Sequence, residues 1–251
     1  MDLTRRRLTA GVAGAVGSGI LAGCLGDGSP TRSGSAETSA QASFFVFGDI
    51  AAHVAGAAAD AEQLVPVGQH GHGWEPGPRV REAIRKADLF VHGMTGFQPW
   101  VDDIRTDLDA DDADVTTVDV SAGIDLLEAG GGHDHDEDGH EHDDGGHEHG
   151  DDGAGIDPHF WMDPLRVTDA VDNVRRAFAD SDAENADGYA ENAARFRSEL
   201  DELHERFEGT VADASTDVVL VAGHDALQYF EDRYGVEVVA RFGVADLDLD
   251  H

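Results

Sequence analysis

The sequence predicts an α/β protein of two lobes, each a parallel sheet covered by helices, joined by a long connecting helix, with the second lobe incomplete. Three observations carry that expectation. Short apolar runs alternate with amphipathic stretches between Phe44 and Val120, the pattern of parallel strands linked by crossover helices. A stripe at alternating spacings of four and three runs through Tyr189, Ala193, Phe196, Leu200, Leu203 and Phe207, the signature of one long amphipathic helix. A further strand–helix–strand pattern then opens at Thr216 and ends at Ala240, after which Arg241 to His251 supplies no further element.

Taken in order, residues 1–24 read as an export signal. Arg5-Arg6-Arg7 precede Leu8 to Ala22, a weakly apolar stretch too short and too rich in glycine to span a bilayer stably. The paired arginines resemble a twin-arginine signal. Leu21-Ala22-Gly23-Cys24 resembles a lipobox, in which Cys24 is lipidated and becomes the mature N-terminus. Cys24 is the only cysteine, so no intrachain disulfide forms. Residues 25–43, rich in Gly, Ser and Thr, read as a flexible tether.

The first lobe is assigned to residues 44–121. Phe44-Phe45-Val46-Phe47 reads as a strand, Ile50 to Ala59 as a helix and Gln63 to Val67 as a second strand. Pro78 opens a helix with Val80, Ile84 and Ala87 on one face. Asp88 to His92 is a third strand, Pro99 to Leu108 a helix and Val115 to Val120 a fourth strand. Residues 122–156 are a His/Asp-rich loop that has too little apolar surface to order itself. Residues 157–209 hold a tight corner and the connecting helices. Within them Asp163 is placed as an N-cap, Pro164 as the first helical residue, and Val167, Val171, Val174 and Phe178 as a buried stripe. Gly209 is read as the end of the long helix. Residues 210–251 hold the partial second lobe: a buried strand ending at Ala222, a helix opened by His224-Asp225-Ala226, and a strand over Val236 to Ala240.

Composition excludes some partners. The 251 residues carry 52 acids against 17 bases, a formal net charge of −35, and Lys86 is the only lysine. Such a field repels nucleic acid and anionic lipid headgroups, so neither is expected as a ligand. The acid-rich, lysine-poor surface resembles that of proteins from halophiles.

The histidines point to metal. Six of them, His133, His135, His140, His142, His147 and His149, fall in the acidic tract. Acidity alone explains solubility, but imidazole solvates no better than Asp or Ser, and it is the commonest nitrogen ligand for zinc, copper, nickel and iron. Outside the tract, His53, His204 and His251 read as surface residues and His92 as a packed strand-end residue. His70, His72, His159 and His224 remain. They fall after strands or at tight corners, the end of a parallel sheet where ligands bind. Three imidazoles from separate segments would make a nitrogen site for zinc. Because such imidazoles must be neutral, affinity should fall as pH drops through about 6.5.

Four stretches carry a family resemblance: Val65-Pro66-Val67-Gly68 through His72-Gly73-Trp74-Glu75-Pro76; Ala87-Asp88-Leu89 through Gly96-Phe97-Gln98-Pro99-Trp100; Asp157-Pro158-His159-Phe160-Trp161-Met162-Asp163-Pro164; and Gly223-His224-Asp225-Ala226 with Tyr229-Phe230. In this order they resemble the zinc/manganese-type metal-binding lipoproteins of ABC transporters. The resemblance implies His72, His159 and His224 as metal ligands, with His70 and the six tract histidines auxiliary. It implies Zn²⁺ as the transported ion in preference to Mn²⁺, since the tract resembles that of zinc-type members. It further implies delivery to an ABC permease and its ATPase by a monomer held by a lipid anchor at the outer face of the cytoplasmic membrane. The family draws a carboxylate fourth ligand from further along the second lobe, where this sequence stops. The chain is therefore expected to be C-terminally truncated. Competing readings from the residues are a zinc-dependent hydrolase, which lacks a His-Glu-x-x-His helix here, and a passive metal buffer or truncated remnant in which only the tract matters.

Overall fold

The structure is a computed structural model of the chain and describes residues 38–66, 74–129, 155–223 and 226–241. Its strands are β1 (Thr38–Ala42), β2 (Ala59–Gln63), β3 (Leu89–His92), β4 (Thr116–Asp119), β5 (Val218–Ala222) and β6 (Glu237–Arg241). Its helices are α1 (Phe45–Ala55), α2 (Pro78–Lys86), α3 (Pro99–Ala110), α4 (Pro164–Ser181), α5 (Ala186–Asp213) and α6 (Gln228–Tyr234). Four parallel strands in the order β2-β1-β3-β4 make one sheet, and β5 and β6 pair in parallel as a second. The α/β class, the parallel pairing and the long helix are those expected.

The start of the first sheet differs from the expectation. Residues 38–42, assigned to the tether, form β1, a central strand with Ala40 and Ala42 fully buried. Small side chains let α1 pack closely there, and the register is keyed by Asp88, whose carboxylate accepts from Ser39 N at 2.7 Å and Ser39 Oγ at 3.0 Å. Phe44 to Phe47, read as a strand from aromatic propensity, instead enters α1. Phe47, Ile50, Ala51 and Val54 share the helical spacing that puts all four in the core. The helix stops at Ala55, short of the expected Ala59, because Gly56 turns with φ +58°. A side chain there would also strike Asn192, 2.4 Å from an ideal Cβ. The next strand accordingly lies at Ala59–Gln63, not Gln63–Val67. Its residues have little β propensity; pairing with β1 from Thr38↔Ala59 to Ala42↔Gln63 holds them extended.

From α2 onward the expected elements are present. Pro78 and Pro99 stand at the first turn of α2 and α3. Every residue of β3 is buried. Ile84, Phe90, Trp100, Val101, Ile104 and Leu108 pack on one face of the sheet. The other face is covered by α1, α4 and α5, where Val167, Val171, Val174 and Phe178 are all buried as the α4 stripe requires. The 28-residue α5 is about 42 Å long at 1.5 Å per residue. It runs through Gly209, expected as its end, to Asp213, because an exposed glycine in a long helix costs only about 1 kcal/mol.

The second sheet is less covered than expected. β5 was expected to be buried, yet Leu220 is 78% exposed and Val218 37%. Among the described residues it pairs only with β6, while Val236 and Val238 are buried. The helix expected from His224 begins at Gln228 and ends, as expected, at Gly235 with φ +64°.

Candidate metal centre

The corner at residues 155–164 is built from its two ends inward. Its N-terminal side pairs with the segment preceding the His/Asp tract: Ala129 N donates to Gly155 O at 2.6 Å, Asp157 N donates to Leu127 O at 2.9 Å, and Glu128 and Ile156 form an antiparallel bridge. Its C-terminal side is a 3₁₀ turn over Phe160–Met162 that runs into α4. There Asp163 is the N-cap, accepting from Leu165 N at 3.0 Å, with Pro164 at the first helical position, both as the sequence predicts.

Between these ends stands His159. One carboxylate oxygen of the buried Asp157 accepts both from His159 N at 2.9 Å and, at 2.7 Å, from the imidazole Nδ1. An acceptor at Nδ1 fixes the tautomer with the proton there, so Nε2 is the nitrogen a metal would take. The His159 side chain is 12% exposed. Its ring meets the edge of Trp161 at 5.2 Å, and Trp161 in turn packs against Phe44, Phe47 and Phe97. The imidazole is therefore oriented by a carboxylate and backed by Trp161, which an aromatic cluster holds in turn.

The corner is fastened to α6. The Tyr229 hydroxyl donates to Asp157 O at 2.7 Å and accepts from Leu127 N at 2.9 Å. Burial pushes the Tyr229 phenol up, so it keeps its proton at neutral pH. The fully buried Asp163 carboxylate accepts from Arg233 at 2.7 and 2.9 Å and from Arg166 at 3.2 Å. Arg166 also donates to Asp232 and lies 4.8 Å from the centre of the Tyr229 ring.

Of the expected metal residues, only His159 is among the described residues. His70, His72, His224, the tract histidines His133, His135, His140, His142, His147 and His149, and the lipidation candidate Cys24 lie outside them. Among the described residues no group of three or more His, Cys, Asp or Glu is arranged to hold a metal ion. The start of α6 approaches the corner: Tyr229 reaches Asp157, and Gln228 Nε2 donates to Glu128 O at 2.8 Å. A cavity of about 340 Å³ lies elsewhere, along the edge strand β4 against α4, lined by Thr117, Asp119, Asn173 and Asp180 among others.

The other described histidines have structural partners. His53 stacks on Phe196 with ring centres 4.0 Å apart. His204, read as a surface residue, is instead partly buried between α5 and α6, with Nδ1 3.1 Å from the Tyr234 hydroxyl. His92 is packed, as expected, 1% exposed, and its Nδ1 donates to Gly93 O at 2.7 Å. Burial holds the His92 imidazole below its ordinary range. The unfolded chain therefore takes up a proton below about pH 6.5 that the folded chain refuses. Stability should fall as pH drops below that point, by up to about 1.4 kcal/mol per pH unit from this one group. Urea denaturation at pH 7.5 and 5.5 should show a smaller difference in His92→Gln than in the parent chain.

A parallel α/β fold with a long helix, α5, and an oriented histidine at the corner leading into α4 matches one family of known proteins. The chain belongs to the ZnuA family, described as zinc-uptake complex component A, periplasmic, whose model matches residues 41–248. It is 27% identical over 221 residues to the manganese-binding lipoprotein MntA of Halalkalibacterium halodurans, covering 88% of this chain and 65% of that protein. It is 30% identical over 186 residues to the high-affinity zinc uptake system protein ZnuA of Bacillus subtilis, covering 74% of this chain and 55% of that protein. The chain thus spans roughly three-fifths of the length of these relatives. Among solved structures, the metal-dependent lipoprotein YcdH of Bacillus subtilis matches with a TM-score of 0.68 at 22% identity, covering 83% of this chain and 68% of that one. Zn(II)-bound AdcA of Streptococcus pneumoniae matches with a TM-score of 0.66 at 24% identity, covering 82% and 40%.

Proposed function

We propose that this chain captures Zn²⁺ outside the cytoplasm and passes it to the permease of an ABC importer powered by a cytoplasmic ATPase. His159 is one ligand, and His72 and His224 complete a three-imidazole site, with His70 auxiliary. The observation that carries this reading is the Asp157 carboxylate on His159 Nδ1, 2.7 Å away. Metal-binding histidines characteristically donate their second ring N–H to a carboxylate, which both aims the ring and raises its basicity. The placement of Gln228 and Tyr229 against the corner supports His224 as a neighbour of His159. Three neutral nitrogens suit zinc better than manganese, which favours carboxylate and water oxygens.

The tract histidines serve as low-affinity collectors that raise the local metal concentration. Export through the twin-arginine route, a diacyl anchor at Cys24 and a monomeric state complete the reading, and the acidic surface suits a salt-rich medium. No helix among the described residues is long and apolar enough to cross a membrane. A single lipidated residue with two acyl chains is the anchor the reading requires.

Zinc titration against a competing chelator tests it. The chain should show one tight equivalent that survives deletion of residues 130–153 and disappears in the triple variant His72→Ala/His159→Ala/His224→Ala. Weak binding of several equivalents that disappears with the tract would instead mean a metal buffer and would overturn the receptor reading.

A further inference from the structure

The Tyr229 hydroxyl sits where three parts of the molecule meet. It belongs to α6, it donates to the carbonyl of Asp157 at 2.7 Å, and it accepts the amide of Leu127 at 2.9 Å. Leu127 in turn accepts from Asp157 N at 2.9 Å, so the hydroxyl closes a ring of hydrogen bonds around the base of the tract. The residue so held, Asp157, is the one whose carboxylate aims His159. The ring of Tyr229 is fully buried and fixed from one side by the Arg166 guanidinium, which Asp163 and Asp232 hold in place. The oxygen therefore has one position, and Asp157 inherits it.

We propose that Tyr229 is a positioning residue for metal capture, acting through Asp157 on His159 and tying the start of α6 to the same hydrogen-bonded ring. This inference rests on the reading of His159 as a metal ligand. Outer-shell partners of metal-binding histidines typically account for a 10- to 100-fold change in affinity when removed. Tyr229 stands one residue further out, so its loss should cost about tenfold, toward the lower end of that range.

The test is zinc affinity of the full chain, by competition with a chelator, in the parent, Tyr229→Phe, His159→Ala and the double variant. Tyr189→Phe serves as the structural control. It also removes a buried tyrosine hydroxyl, the one that donates to Asp182 at 2.7 Å, but at the far end of α4, about 27 Å along the helix from the corner. Tyr229→Phe should weaken zinc binding about tenfold in the parent and not at all in the His159→Ala background, while Tyr189→Phe leaves affinity unchanged. An unchanged affinity in Tyr229→Phe, or an equal loss in both backgrounds, overturns the positioning role while leaving His159 a ligand. An unchanged affinity in His159→Ala overturns the ligand reading itself.

Hydrogen exchange on the unsubstituted chain gives a second line that needs no variant at Tyr229. Zinc should slow exchange of the Leu127 amide, whose hydrogen bond is to Tyr229 and not to His159, and should not do so in His159→Ala. A Leu127 amide indifferent to zinc overturns the coupling.

Discussion

Replacing Asp163 by alanine should cost the fold about 3–5 kcal/mol, the largest single effect expected outside the hydrophobic core. Its carboxylate is fully buried and is shared by two guanidiniums, Arg166 at 3.2 Å and Arg233 at 2.7 Å, while its other oxygen caps α4 through Leu165 N. Alanine removes the cap and the buried counter-charge that the two guanidiniums share, leaving Arg166 with Asp232 alone and Arg233 partly buried without its carboxylate. Truncating one partner of a buried ion pair is far more costly than the pair's net contribution, because the remaining charge stays desolvated. For a fold of this size the loss corresponds to roughly 10 °C in Tm. Asp163→Asn keeps an oxygen for Leu165 N but loses the charge and sets an amide NH2 where Oδ2 accepts from both guanidiniums, so it should recover only the cap and fall between the parent and alanine, closer to alanine. Thermal unfolding of the three chains, with tract and metal unchanged, checks the order. Equal stability of the asparagine and parent chains would show that charge is unimportant there.

The second large effect is on binding. With His159 as the proposed ligand, His159→Ala should lower zinc affinity by more than about 100-fold, beyond the range that outer-shell changes reach. Asp157→Ala should fall within the 10- to 100-fold range, because the imidazole remains but loses the acceptor that sets its tautomer and direction. Chelator competition on the two variants gives both numbers. A ranking in which Asp157→Ala is the more damaging would mean that the carboxylate binds the metal itself.

Much of this was legible in the sequence, and the exceptions share a cause. The α4 stripe, the Asp163 cap, the proline starts of α2 and α3, and the strand at Leu89–His92 follow from spacing and local stereochemistry that no neighbour alters. The misplacements fall where a neighbour decides. Thr38–Ala42 is polar and small, yet it is a central strand because β2 and β3 flank it. Phe44 to Phe47 has strand propensity, yet Phe47 is required on the buried face of α1 with Ile50 and Val54. Leu220 sits in an apolar run that reads as buried, although exposure depends on what packs over it. At the candidate site, His159 was visible through the two prolines around it. The pairing of Asp157 with it was foreshadowed by the two-residue spacing, at which an Asp side chain commonly turns back on the chain. Tyr229 and Arg233 could not be found this way, since their partners lie 72 and 70 residues away.

The antiparallel bridge between Glu128 and Ile156 also divides the chain into two stretches of different tolerance to change. With both ends of the intervening segment pinned by the folded core, the segment's length is nearly decoupled from the rest of the molecule. Doubling a closed loop costs only about 0.6 kcal/mol in chain entropy. Residues can thus be gained or lost between 129 and 155 without disturbing the carboxylate that faces His159. Variation in length is expected to be tolerated on one side of that bridge, and a single substitution at Asp157 on the other is not.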